Sequence, residues 1–73
     1  MQHAHSFLIE SDRASHELVL DGKVLGRYPT LEAAEAEANR IAGASLRFEL
    51  DLKSTLMNLE IRGATLESDG AAV

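Results

Sequence analysis

The chain has 73 residues and a formal net charge of −5, from 12 acidic and 7 basic side chains, and it lacks cysteine. A single small domain is the only sensible count, and disulfides, thiol nucleophiles and cysteine-based zinc sites are excluded. The acidic balance and the scattered basic residues argue against a phosphate-backbone ligand, and no apolar run is long enough for a membrane span.

Although 45% of the residues are hydrophobic, eleven of them are alanines, which bury little area each. A core of this size supports only a few kcal/mol, and chains this small often add a metal or a partner subunit. The first nine residues, Met1–Ile9, carry neither a basic run nor the apolar stretch of a secretory signal, so cytoplasmic residence is the expectation.

Taken in chain order, Ser6–Glu10 is apolar enough for a short strand, and Ser11–Ser15 gathers turn-forming residues. His16–Leu20 resumes a strand with Leu18-Val19-Leu20. Asp21-Gly22 then fits a two-residue type I′ turn, which needs positive φ at both central positions. His16–Leu20 is therefore expected to pair with Lys23–Tyr28.

Pro29 stops that strand and Thr30 is placed to cap a helix, its hydroxyl accepting from a free amide of the first turn. Leu31, Ala34, Ala38, Ile41 and Ala42 repeat at helical spacing, with Glu32, Glu35, Glu37 and Arg40 on other faces and Gly43 closing the helix. Leu46–Leu52 alternates strictly between apolar and charged residues, the pattern of a half-buried strand. Lys53-Ser54-Thr55 can turn the chain into a second alternating strand, Met57–Arg62, with Gly63 expected at its end.

The order is β-β-β-α-β-β. It predicts an α+β fold in which an antiparallel sheet of four to five strands carries one helix on one face. Residues 1–67 form the expected domain, and Ser68 to Val73 lack periodicity and bulk, as a frayed tail would.

Candidate chemistry is sparse. Met1-Gln2-His3 offers an amine, two amides and an imidazole to square-planar Cu(II) or Ni(II), so His3 is a candidate, if incidental, metal ligand. His3 and His5 point the same way on an extended chain and could share an ion with Glu17. Ser11, Asp12, Ser15 and His16 include the residue types of a nucleophilic triad, but their clustering is that of a turn. Glu49 and Asp51 read as a solvated strand face. The glycines match no phosphate-binding spacing, and no cofactor or small-molecule substrate is indicated.

With Leu18, Leu20, Val24 and Tyr28 turned to the helix, Val19 and Leu25 are expected on the opposite face as an apolar patch that the helix does not cover. That patch, together with the small core, predicts a non-enzymatic protein-interaction module, homodimeric, of bacterial or phage type.

The stretch from Leu20 through Tyr28-Pro29-Thr30-Leu31-Glu32-Ala33-Ala34 resembles a local pattern of AP2-like and phage-integrase arm-binding domains and, more loosely through Thr30-Leu31-Glu32-Ala33-Ala34, of HicB-type antitoxins. The alternative function is an antitoxin-like or regulatory DNA binder in which dimerisation would gather Arg13, Arg27 and Arg47 on one surface. Glu17, Val19 and Asp21 stand where a DNA-reading sheet would want basic and aromatic residues.

Overall fold

A computed structural model describes residues 3–51 and 59–68. Five strands form one antiparallel sheet: β1 (His3–Ser11), β2 (His16–Leu20), β3 (Lys23–Tyr28), β4 (Glu49–Asp51) and β5 (Glu60–Ser68). Their spatial order is β3-β2-β1-β5-β4, and a single helix, α1 (Leu31–Ala42), packs across β1, β2 and β3. The α+β class and the element order are those expected.

The β2–β3 turn forms as its residues require, with φ of 50° at Asp21 and 84° at Gly22. Asp21 also clamps the turn to β1. Its amide donates to the Ser6 carbonyl at 2.9 Å, while its carboxylate accepts from the Ser6 amide at 2.8 Å and bonds His5 Nδ1 at 2.9 Å. The Thr30 hydroxyl accepts from the Ala33 amide to cap α1, and Gly43, at φ 70°, closes it by donating to the Asn39 carbonyl.

Alternation along the strands fixes the core. Phe7, Ile9 and Leu18 face the helix and meet Ala34 and Ala38, and all five are buried. Small alanines let the helix approach the sheet closely, and Leu20, Tyr28, Leu31, Ala42 and Leu66 close the margins. Ile41, counted in the helical stripe, is instead 40% exposed; Ala42 takes the core-facing place beside Ala38.

Two strands depart from their expected bounds. β4 pairs only over Glu49–Asp51, not from Leu46. The Leu46 amide is taken by the Asn39 side chain at the end of α1, which holds Leu46 and Phe48 against the core as irregular chain. Gly63 does not end β5. It lies within the strand opposite Leu8, and pairing with β1 continues unbroken from Ser11↔Glu60 to His3↔Ser68, so β1 is also longer than Ser6–Glu10. The expected turn at Lys53–Thr55, the strand start at Met57 and most of the expected tail lie outside the described residues.

Arg62 comes from the helix-covered face of β5 and bonds Glu35 on α1, an ion pair that ties the helix to the far half of the sheet. No helix among the described residues is long and apolar enough to cross a membrane.

Candidate interaction surface

Residues directly opposite on antiparallel strands share a face, so the pairing registers map the side of the sheet away from α1. Two rows run across all five strands there. One is Arg27, Glu17, Glu10, Ile61 and Asp51; the next is Val24, Val19, Leu8, Gly63 and Glu49. Successive rows are two residues apart along β1, β2, β4 and β5, about 6.8 Å, and three apart along β3. A charged row thus lies beside an apolar one.

A bulge sets this arrangement. Between Leu18 and Val19 the β3 partner shifts from Gly26 directly to Val24, which leaves Leu25 as the extra residue. Val24, expected toward the helix, is thereby opposite Val19 on the uncovered face and is 55% exposed. Of the expected patch, Val19 does lie away from the helix but is only 7% exposed, while Leu25 is 40% exposed at the bulge. The apolar pair of this face is Val19 and Val24 in place of Val19 and Leu25, because strict alternation fails at a bulge.

The charged row carries an internal tension. Glu10 and Glu17 are direct cross-strand neighbours, a juxtaposition of like charges that disfavours the pairing. Arg27 relieves it by donating to Glu17 at 2.9 Å. That hydrogen bond, and then the Glu17 charge, hold the Arg27 pKa above its ordinary value.

Two open grooves flank Ile61. One, of about 320 Å³, is lined by Glu10, Asp12, Glu17, Arg27 and Leu59 among others. The second, of about 340 Å³, is lined by Leu8, Glu49, Leu50, Asp51 and Gly63. Both combine carboxylates with aliphatic side chains, and Leu59 adds a 40% exposed apolar surface.

The other candidates are dispersed. Comparison with protein families, with curated proteins and with solved structures finds no match. Ser11 is buried, and its hydroxyl shares a hydrogen bond with His16 Nδ1 across the β1–β2 pair. A serine nucleophile is instead served by Nε2, with a carboxylate on Nδ1. The Asp12 carboxylate accepts from the Arg13 amide within the turn. His5 is engaged by Asp21, and Glu17 lies on the opposite face of the sheet, so the two do not share an ion. Among the described residues no three potential ligands converge on a metal position. His3 heads β1, and Met1 and Gln2 lie outside the described residues.

Leu8 and Ile61 were not singled out as surface residues from the sequence, and Val24 was assigned to the helix-covered face. One signal was present: the unbroken run Phe7-Leu8-Ile9 places an apolar residue on each face of its strand.

Proposed function

We propose that this protein is a non-enzymatic interaction module that binds another protein through the sheet face opposite its helix. The supporting observation is the apolar row of Val24, Val19 and Leu8 on the face away from the helix, where Val24 is exposed, Leu8 half-buried and Val19 buried, continuous with the half-buried Ile61 and the exposed Leu59. A sheet with one face solvated is ordinary, but its outward positions are then polar; aliphatic side chains at the centre of such a face mark a surface that gains from being covered. Photo-crosslinking tests this. A benzophenone side chain at position 24 should capture one discrete protein in the producing cells, and the same group at position 32 on α1 should not. Indistinguishable products from the two positions would refute the reading.

A second reading, self-association, is favoured by edge strand β3, where the adjacent Val24 and Leu25 are both exposed. Light scattering over a concentration series should then show a dimer that Leu25→Lys dissociates; a monomer throughout removes this reading and leaves the first intact. The nucleic-acid alternative draws little support, since Arg27 is engaged by Glu17 and its row is otherwise acidic or apolar.

A further inference from the structure

The uncovered face has a charge as well as an apolar centre. Among its described strand residues are five carboxylates, Glu10, Glu17, Glu49, Asp51 and Glu67, and one cation, Arg27. Two copies packed through this face would set acidic row against acidic row, in a chain whose formal net charge is already −5. Arg27 relieves the Glu10–Glu17 juxtaposition from the Glu17 side, and a cation arriving at Glu10 would relieve it further.

Resting on the interface reading above, we propose that the occupant of this face is a cationic, amphipathic segment of another protein, with an apolar side chain set between two lysines or arginines. The spacing follows from the sheet. Glu10 and Asp51 flank Ile61 on either side in one row, two interstrand spacings apart, or about 10 Å. The apolar side chain of the segment meets Ile61 and Leu8, and its two cations meet the carboxylates in the grooves on either side. Attraction at the rim steers the encounter, and apolar burial at the centre holds it, so neither a plain polycation nor a plain apolar segment suffices.

Three synthetic peptides test this against the isotopically labelled chain, with nuclear magnetic resonance locating the contact and fluorescence anisotropy measuring affinity. The first has leucines flanked by lysines, the second replaces its lysines with glutamine, and the third replaces its leucines with serine. The lysine–leucine peptide should perturb Glu10, Glu17 and Ile61 but not α1, and should bind more weakly as salt rises from about 0.01 M to about 0.1 M. The other two should bind at least about tenfold more weakly, and Glu10→Lys should weaken the first by about tenfold while Glu32→Lys on α1 leaves it unchanged. Equal binding of the glutamine peptide to this face would overturn the cationic partner and preserve the interface. Equal binding of the serine peptide would reduce the effect to undirected polycation attraction and overturn the proposal. If none of the peptides perturbs the face, the proposal and the interface reading fall together.

Discussion

Leu18 and Val19 are adjacent residues on opposite faces of β2, and truncating each to alanine should reveal how differently those faces are covered. Leu18 is fully buried between Ile9 on β1 and Ala34 and Ala38 on α1. Leu18→Ala removes three carbons, about 2.4 kcal/mol of transfer free energy. The two helix alanines cannot grow to fill the space, so a cavity term raises the cost to about 3–4 kcal/mol. Val19 is nearly as buried, but on the opposite face, beside its cross-strand partners Leu8 and Val24. Val19→Ala removes two carbons, at most about 1.6 kcal/mol, and water rather than a void replaces them. Urea denaturation followed by far-ultraviolet circular dichroism measures both, with a slope of about 1 kcal/mol per M for a chain this short. Val19→Ala should lower the midpoint by about 1–1.5 M, whereas Leu18→Ala should leave a domain of only a few kcal/mol largely unfolded without denaturant. Equal losses at a concentration where the chain is monomeric would mean that the face of Val19 is covered within the chain, and the interface argument would fail.

Gly43→Ala should cost about 1 kcal/mol and lower the melting temperature by about 4–8 °C, because φ of 70° strains any side chain even though the surrounding space is open. Glu35→Gln should cost about 1 kcal/mol in the same melts by removing the charge that Arg62 meets at the helix–sheet boundary. The His5 hydrogen bond, then the Ser6 amide, hold the Asp21 pKa below its ordinary 3.8. Its contribution is therefore complete above that value and is lost as pH falls through the lower folded-state value. Asp21→Asn should flatten that acid limb of the melting-temperature profile by giving up at neutral pH the stability that the native chain loses in acid, while asparagine still tolerates the turn and keeps an acceptor for Ser6. Asp21→Ala should lose stability at every pH.

The elements readable in the sequence were those whose determinants are local. Asp21-Gly22, Thr30 and Gly43 each specify a backbone conformation within a few residues, and the β2–β3 hairpin and α1 have the bounds their chemistry implies. Long-range pairing was less legible. Nothing near Gly63 signals that β5 continues to Ser68, because the reason is β1, some sixty residues away in the chain. Leu46 and Phe48 alternate as a strand would, yet their burial is achieved from irregular chain that packs against the core. The surface was half legible: Val19 followed from alternation, but the bulge at Leu25 exchanged Val24 for Leu25, and strict alternation takes no account of a bulge even where a strand glycine, Gly26, stands beside it. The acidic row could not be anticipated, since Glu10, Glu17 and Asp51 become neighbours only through the β2-β1-β5-β4 order.

The absence of cysteine permits a direct test of whether the uncovered face is occupied where the protein works. Val24→Cys and Glu32→Cys each introduce a unique thiol, one on the uncovered face and one on the exposed side of α1. Maleimide labelling rates are then compared between the purified chain and the cells that produce it. The account predicts that the thiol at position 24 reacts readily in the purified chain and slowly in the cell, while position 32 reacts alike in both. A thiol at position 24 that reacts in the cell as fast as it does in isolation, relative to position 32, would contradict it.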